Sequence, residues 1–532
     1  MDNYFVSSCK RVKDWICRQF GQKEKKTVHH KKFADGGEVI VWETGRAGEE
    51  AASYENLFLR KEIAGFRTNI RREQSCSIKS LTRDYLYKQL LSSGEYTFDH
   101  MLVIKDPYGE APLTALALFI LEEPACVRVT TKGNLKETDF VTELPKKKEH
   151  RVPILGMYAE KANDIVIEIL DDEGNCVKSH TFTIRTKRLP KSLRNVITVK
   201  KWTDKPAYSN IMINGGVKIH TCVFDIEGEI RYYLSRKPRG YGIFPLSDGH
   251  FFYMEKYISV PSYSNPQTVE SYDMDYFGRV FRTYLTEKGV HHTAEEKAGG
   301  NILTGSNSML EHTEDCVIEI DRQTGEIVWQ LNMAEIFDET YQNMMDWCHV
   351  NSAAYYEKDR TILISLRNVH AVICVDYDTK KLRWILSDPK FWEGTKMTPY
   401  LLQPEGDVKW CYQQHAAFEI ALPDESNPQK KRIIVYDNHW AKRRKAKSFD
   451  KDPLSYVSFY DIDEEKKTVS LHKRFAGPKT RIRANGIYVP DKRRVYNMAG
   501  SYAEPVDGDG GGIFEYDYET GEVLSEFGVK PG

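Results

Sequence analysis

Four histidines in three similar segments are the residues of this sequence best suited to do chemistry. His291 and His292 occur in HHTAEEKAGGNILTG, His349 in DWCHVNSAAYYEKDRTILISLRN, and His415 in YQQHAAFEIALPDESNPQKKRIIVYDN. In each segment a strand pattern follows the histidine, then a turn, then a second strand. Neutral imidazole is a competent nucleophile near pH 7, and a protonated ring nitrogen donates hydrogen bonds to anions. The equivalent placement indicates one shared site.

Amide and guanidinium groups accompany these histidines. Asn351 and Arg367 lie in the second of these segments, and Asn438 ends the third. A fourth segment of the same pattern, TRIRANGIYVPDKRRVYNMAG, begins with Thr480 instead of a histidine. A guanidinium presents forked donors that match sulfate or phosphate, so this set of groups favours an oxyanion ligand.

A metal or a nucleotide fits these segments poorly. A metal ion needs several histidine or carboxylate ligands at bonding distance. Asp346 is the one carboxylate that the pattern places at the ring, and arginine and asparagine are poor metal ligands. The sequence also has no convincing G-x-x-x-x-G-K-[ST] loop for nucleotide phosphates. We therefore predict neither a metal nor a cofactor.

Convergence of the segments requires a repeating fold, and residues 191–532 show one. A strand, a turn marked by aspartate and a second strand recur about every 50 residues, with one longer interval. The repeated aspartates are Asp225, Asp275, Asp321, Asp376, Asp461 and Asp517. All-strand repeats of this length are typical of propeller blades, and six units predict six blades. The first strand of each blade lines the central channel, so equivalent positions of different blades meet there.

Two regions precede the predicted propeller. Residues 98–190 contain short alternating strands such as CVRVTTKG and DIVIEILD, separated by turns, which predicts a small β-sandwich. Residues 1–97 are interpreted as an N-terminal extension that is partly helical, at its start and near residues 79–92. The predicted fold is therefore all-β, a six-bladed β-propeller preceded by a small β-sandwich domain and an N-terminal extension.

The composition excludes some classes of function. Lys plus Arg number 76 and Asp plus Glu number 77, so the chain lacks the basic excess that general nucleic-acid or membrane-surface binding requires. Its ten cysteines are scattered singly, which favours buried reduced thiols over a disulfide framework. The first residues show no apolar core of a signal peptide, so we expect a cytoplasmic protein.

Several segments resemble, in the same order, those of bacterial arylsulfate sulfotransferases that work without the sulfuryl carrier PAPS. KDPYGEAPLTALALF and HRVPILGMY resemble the N-terminal β-sandwich of that family. HHTAEEKAGGNIL, DWCHVNS, ISLRN and YQQHA resemble motifs of its propeller. The resemblance covers roughly residues 98–532. It implies ping-pong transfer of a sulfuryl group from an aryl sulfate donor to a phenolic acceptor, through a sulfohistidine.

Motif position implies a role for each candidate residue. The residue that matches the family's nucleophile is His415. The residues expected to assist catalysis around the sulfate are His349, Arg367 and His292. The residues expected at the substrate are Asn351, His291, Thr480 and Asn438. Only one of two neighbours on a strand faces the channel, and we prefer His292 over His291 for that position.

Departures from the family leave alternatives open. Thr293 stands where the family has aspartate, and Cys411 has no obvious partner for the family's disulfide. Family analogy favours a homodimer, and a periplasmic location would follow if the N-terminus is incomplete. The competing functions are a non-catalytic propeller that binds anionic ligands and an aryl sulfate or phosphate ester hydrolase.

Overall fold

The computed structural model divides into two compact units, each described here by itself. It describes residues 28–33, 36–52, 75–203, 205–214, 219–236, 242–258, 267–308, 312–342, 344–422, 427–440 and 452–530. The first unit comprises Met1–Arg188 with Arg231–Ser235 and Phe277–Val280. The second comprises Leu189–Ile230, Arg236–Tyr276 and Phe281–Gly532. The helix predicted at the start of the chain lies outside the described residues.

The first unit is built on one sheet with strand order β1-β2-β3-β4-β6-β7 and β5 paired to β4. Its strands are β1 Val28–Lys32, β2 Glu38–Trp42, β3 His100–Lys105, β4 Ala115–Thr131, β5 Phe140–Ile154, β6 Ala162–Leu170 and β7 Cys176–Arg185. Residues 44–52 are helical, and a longer helix spans Ser75–Ser92.

The long strand β4 pairs with different strands along its length. This accounts for the alternating strands from which a sandwich was predicted. Residues 115–118 pair with β3, whereas residues 126–131 pair with β6. The register with β5 shifts between Ile120 and Ala125, beside Pro124. Proline has no N–H to donate to a ladder, so the pairing is interrupted where the strand passes from one set to the other.

Residues 1–97 contribute strands as well as the predicted helix. β2 pairs with β3 in parallel and β1 pairs with β2, so the predicted boundary at residue 97 falls within a continuous sheet. The exposed edge strand β1 has the sequence VHHKK, which shows no apolar alternation to reveal it. The predicted helix near 79–92 is present, and its Leu86, Tyr87 and Leu91 join a buried cluster with Trp42 and Leu102.

The repeated strands lie in the second unit, except that Arg231–Tyr233 of β11 and Val280 of β15 belong to the first. They are β8 Ile197–Lys201, β9 Asn210–Ile213, β10 Cys222–Asp225, β11 Ile230–Tyr233, β12 Gly242–Pro245, β13 Phe251–Ile258, β14 Gln267–Met274, β15 Val280–Glu296, β16 Ile302–Ser306, β17 Cys316–Ile320, β18 Ile327–Asn332, β19 Val350–Tyr356, β20 Thr361–Leu366, β21 Ala371–Asp376, β22 Leu382–Leu386, β23 Gln403–Pro404, β24 His415–Ile420, β25 Lys430–Asp437, β26 Leu454–Asp463, β27 Thr468–Pro478, β28 Ala484–Val489, β29 Arg494–Ala499, β30 Gly511–Asp517 and β31 Val523–Val529. Short 3₁₀ helices span Lys136–Thr138, Lys191–Leu193, Met333–Glu335, Arg367–Val369, Pro389–Phe391, Thr398–Tyr400 and Pro490–Lys492.

The strand order of the sheets confirms an all-β propeller. The larger sheets run β12-β13-β14-β15-β16-β17-β18, β19-β20-β21-β22, β23-β27-β26-β25-β24 and β28-β29-β30-β31-β8. The seven-stranded sheet holds two four-stranded sets that share the long β15. β8 begins the unit yet pairs with β31 at its end, so the last sheet joins both ends of the propeller sequence.

A turn between two strands occurs at each of the six predicted positions. The carboxylates of Asp225, Asp321, Asp376 and Asp517 accept hydrogen bonds from backbone N–H groups within their turns. The prediction for Asp461 is wrong, because this residue lies within β26 and pairs with Arg432. Asp463 occupies the turn instead and accepts from the backbone of Lys466.

Apolar layers lie on both faces of the inner sheets. In β20, Ile364 packs into a cluster with Val317 of the preceding sheet, whereas its neighbour Leu363 packs with Val435 of the following one. Val435 and its neighbour Ile434 divide between two clusters in the same manner. Successive side chains of a strand point to opposite faces, so each sheet is held between two layers.

We expect the closing pair β8–β31 to contribute strongly to stability. Phe527 of β31 pairs with Val199, is 2% exposed and packs edge-on against Phe224 at 5.3 Å. Phe527→Ala should lower the free energy of unfolding of this unit by about 3–5 kcal/mol, because a large buried ring is lost. Denaturant unfolding measures the change, and Ile327→Ala at an exposed position is the control. Equal effects of the two substitutions would contradict this role.

Candidate active site

Three strands bring the predicted histidines to one end of the second unit. β15 carries His291 and His292, β19 begins directly after His349, and β24 begins at His415. Each strand departs from regular pairing there, since register shifts follow His291, Val350 and His415. Bulges re-aim side chains and are common next to active sites.

Left-handed backbone accompanies these irregularities. His292 and His349 have φ values of 58° and 57°, and Ala416, next to His415, has 50°. Such values cost free energy for residues other than glycine and persist where surrounding contacts over-determine them. The backbone therefore departs from regular strand geometry at the positions where these side chains are placed.

His415 is buried and held in one tautomer by a chain of side chains. Its Nδ1 lies 2.6 Å from Oδ1 of Asn438, and Nδ2 of Asn438 donates to Oγ1 of Thr480 at 2.9 Å. Because that amide nitrogen is committed to Thr480, the amide oxygen faces His415 and accepts from its Nδ1–H. Nε2 of His415 is then the nitrogen that keeps its lone pair.

The surroundings of His415 favour its neutral form. Burial, followed by the charge of Arg367, lowers its pKa to about 3, against the opposing hydrogen bond to Asn438. The charge of His349 acts in the same direction. At neutral pH this residue is therefore an uncharged imidazole beside cationic groups.

His349 has the opposite electrostatic setting. Its Nδ1 lies 2.6 Å from Oε2 of Glu314 and 2.9 Å from Oδ2 of Asp346. Burial alone would lower the pKa of His349, but these two carboxylates raise it to about 9. His349 is thus an imidazolium at neutral pH, with Nε2–H on the side of the ring opposite the carboxylates.

Arg367 and Asn351 lie against the loop that ends at His415. Nη2 of Arg367 lies 3.3 Å from Oε1 of Gln413, and Nδ2 of Asn351 donates to the carbonyl of Gln414 at 2.8 Å. Gln414 in turn donates to the carbonyl of Ala371 at 2.7 Å. The residues predicted from the second and third segments therefore converge on one place.

The two neighbouring histidines differ in position. His291 is fully buried, and its Nε2 lies 2.8 Å from the carbonyl of Ser306, to which it must donate. His292 is partly exposed, and its ring lies 4.8 Å from the ring of His349. Burial lowers the pKa of both residues. His292 is therefore the member placed beside the other catalytic candidates.

Three residues predicted to bind substrate are fully buried. His291 and Thr480 are 0% exposed, and their polar atoms contact protein groups. Asn438 is likewise fully buried, between His415 and Thr480. In this structure these three side chains contact protein groups, and their role as substrate ligands stays a prediction.

Glu314 is the residue that sequence reasoning missed. The expectation that Asp346 is the one carboxylate at the ring is wrong, because Glu314 contacts His349 and lies 3.9 Å from Nδ1 of His292. It lies in the loop between β16 and β17, two residues before β17 begins. An antiparallel second strand returns to the end where the first began, so this loop offered a usable signal.

Glu314 also changes the case for a metal. Ligand atoms of His292, Glu314 and His349 all lie within 4.8 Å of one another, a donor set that suits a divalent transition metal. Such an ion would have to displace the proton of His349, which its two carboxylates hold firmly.

The described cysteines and helices bear on two further expectations. Cys222, Cys316, Cys348, Cys374 and Cys411 are buried thiols, and within the described ranges no cysteine is paired. Among the described residues, no helix has the length and apolar character needed to cross a bilayer.

Comparison with known proteins links this site to one family. A family model described as "Arylsulfotransferase (ASST)" matches residues 195–531, and "Arylsulfotransferase Ig-like domain" matches residues 102–187. An arylsulfate sulfotransferase AssT from Lelliottia amnigena is 22% identical, with 80% of this chain and 90% of that one covered. Its counterpart from Escherichia coli O6:H1 is 23% identical at the same coverages. A solved Bacteroides caccae protein of unknown function is 11% identical, with a TM-score of 0.38 over 60% of this chain and 92% of that one.

We expect inorganic sulfate to bind at the convergent groups. Arg367→Gln should weaken that binding at least about tenfold, because a hydrogen bond to a charged group contributes roughly 1.5–3 kcal/mol. Isothermal titration calorimetry with sodium sulfate measures the change. Arg360→Gln, which removes an exposed guanidinium paired with Asp378, is the matched control. Binding within twofold of wild type in Arg367→Gln would remove this residue from the anion site.

Proposed function

The chain belongs to the arylsulfotransferase family, and from that premise we propose that this sulfotransferase moves a sulfuryl group from an aryl sulfate to a phenol through a covalent intermediate on His415. One observation carries the proposal: Nδ1 of His415 is committed to Asn438, which leaves the lone pair on Nε2 of a ring that the charges of Arg367 and His349 keep neutral. The family match supports the motif resemblance found in the sequence.

The first half-reaction needs a nucleophile and a proton donor. Nε2 of His415 attacks sulfur while the bond from sulfur to the aryl oxygen breaks. Arg367 and the free N–H of Asn351 hold the sulfate oxygens, whose charge changes little if bond cleavage runs ahead of bond formation. His349 gives its Nε2 proton to the departing phenolate, so a neutral phenol leaves.

The second half-reaction reverses these steps. A second phenol enters the position that the first has left and returns a proton to His349, which is now neutral. Its oxygen attacks sulfur, the bond from sulfur to Nε2 of His415 breaks, and an aryl sulfate departs. His415 is neutral and His349 is protonated again, so the cycle closes without a cofactor and with ping-pong kinetics.

Replacement of His415 tests the nucleophile. His415→Asn should lower transfer from 4-nitrophenyl sulfate to phenol by about 10³-fold or more, because no other lone pair replaces Nε2. Mixing wild-type protein with the donor alone and quenching at alkaline pH should give one sulfuryl adduct by intact mass, absent from the variant.

His472→Asn, which changes an exposed histidine of β27, is the matched control for that experiment. Activity of His415→Asn within tenfold of wild type would place the nucleophile elsewhere. An adduct that forms and turns over equally fast without phenol would favour hydrolysis, and equal turnover of 4-nitrophenyl phosphate would favour the broader ester hydrolase.

The two shifted imidazoles set the pH dependence of the donor half-reaction. The pKa of His415 is lowered to about 3, so this residue stays neutral well below pH 6.5. The pKa of His349 is raised to about 9, so this residue stays protonated until the pH passes that value. With phenyl sulfate as donor, kcat/KM should therefore be level from pH 5.5 to about 8 and fall above pH 9.

Stopped-flow or steady-state assays across this range, with circular dichroism as the check on folding, measure that profile. A loss of activity on acidification with a midpoint near pH 6.5 would show that the nucleophile has an ordinary imidazole pKa, and it would contradict the lowered pKa of His415.

A further inference from the structure

One buried carboxylate lies beside the imidazoles of both His292 and His349. Glu314 is 0% exposed, and its Oε2 lies 2.6 Å from Nδ1 of His349. Its Oε1 lies 3.9 Å from Nδ1 of His292. The rings of His292 and His349 are 4.8 Å apart, so the side chain of Glu314 can interact with both.

The backbone of Glu314 is fixed on both sides. Its N–H donates to Oδ1 of Asn307 at 2.8 Å, and its carbonyl accepts from the N–H of Val350 at 2.7 Å. Its φ is 55°, a left-handed value that a residue other than glycine adopts at a cost. These contacts fix the backbone of Glu314 and tie it to Val350, the residue that follows His349, so its carboxylate is held near the imidazoles.

Charge balance explains what this carboxylate does. A buried carboxylate is costly unless a cation is paired with it. Although burial alone would raise the pKa of Glu314, the charges of His349 and His292 hold it well below its usual range. An ionised Glu314 therefore stabilises a proton on the neighbouring imidazoles, and His349 is the better placed to carry that proton.

The geometry of the imidazole ring determines which way the second ring nitrogen of His349 points. Nδ1 and Nε2 lie on opposite sides of an imidazole, so a ring whose Nδ1 faces Glu314 directs Nε2 away from it. Nδ1 of His292 is also 3.2 Å from Nδ1 of the buried His291, which fixes the same orientation from behind.

We propose that Glu314 is a positioning residue that holds Nδ1 of His349 and His292 so that both Nε2 atoms face the substrate, and that keeps on His349 the proton given to the leaving phenolate. The inference rests on the proposed function. It assigns no contact between Glu314 and the substrate, because the carboxylate acts through the two imidazoles.

The test compares donors that differ in their need for a proton. Phenyl sulfate releases a strongly basic phenolate, whereas 4-nitrophenyl sulfate releases a weakly basic one. Glu314→Gln should lower kcat/KM by about 100-fold for phenyl sulfate but by less than about fivefold for 4-nitrophenyl sulfate. It should also move the alkaline loss of activity to lower pH. Glu314→Asp should recover part of both effects.

Asp346→Asn is the matched control. It removes the carboxylate that accepts the hydrogen bond from Nδ1 of His349 at 2.9 Å, without touching His292. Under the proposal it moves the alkaline limb less than Glu314→Gln does, because the charge of Glu314 is the larger of the two influences that raise the pKa of His349. Equal losses on both donors in Glu314→Gln would show general damage to the site and overturn the inference, as would an unshifted pH profile.

Two measurements keep the result interpretable. If Glu314→Gln fails to fold, ¹⁵N NMR of histidine-labelled wild-type protein, with His349→Gln for assignment, still decides the matter. An imidazolium at His349 up to about pH 9 supports the inference, and titration near 6.5 overturns it. Failure of the proposed function is seen separately, because wild-type protein would then form no adduct on His415 with either donor.

Discussion

The site depends on the antiparallel return of strands within each sheet. A first strand that begins at the site is followed by a second that ends there, so the loop after the second strand lies beside the start of the first. His415 begins β24 and Asn438 follows β25, and the two side chains meet at 2.6 Å. The same return brings Glu314 toward His292. Residues far apart in sequence are thereby joined by rigid elements, which hold geometry better than loops alone.

Within this arrangement the protein holds two imidazoles, those of His415 and His349, in different charge states. His415 is paired with a neutral amide and lies near Arg367, so burial and cationic neighbours lower its pKa to about 3. His349 is paired with Glu314 and Asp346, which raise its pKa to about 9 in spite of burial. Two groups of one chemical type whose environments separate their pKa values are suited to different roles. A neutral imidazole and an imidazolium therefore coexist at the same pH.

The sequence was sufficient for the parts of the structure that depend on local pattern. The repeated turns, the helix near residue 79 and the segments with His349 and His415 are carried by periodicity and turn residues. It was insufficient where partners are remote. β1 shows no alternation, Asp461 and Asp463 are both candidates for one turn, and Glu314 is indicated only by its place in the loop after β16 and by no residue pattern that reveals its contact with His349. Tautomers likewise depend on contacts such as the one between Asn438 and Thr480, which are 42 residues apart in the sequence.

The balance of charge in the site favours a sulfate ester over a phosphate ester. Arg367 and His349 supply two positive charges near the reacting position, and Glu314 and Asp346 supply two negative ones that face away from it. An aryl sulfate carries one negative charge, whereas an aryl phosphate carries close to two at neutral pH. In a buried site each uncompensated charge is expensive, so the singly charged ester is the one that these groups can hold without a metal ion. The same reasoning makes the proton on His349 essential, since its loss would leave the two carboxylates unbalanced and the anion opposed by Arg367 alone.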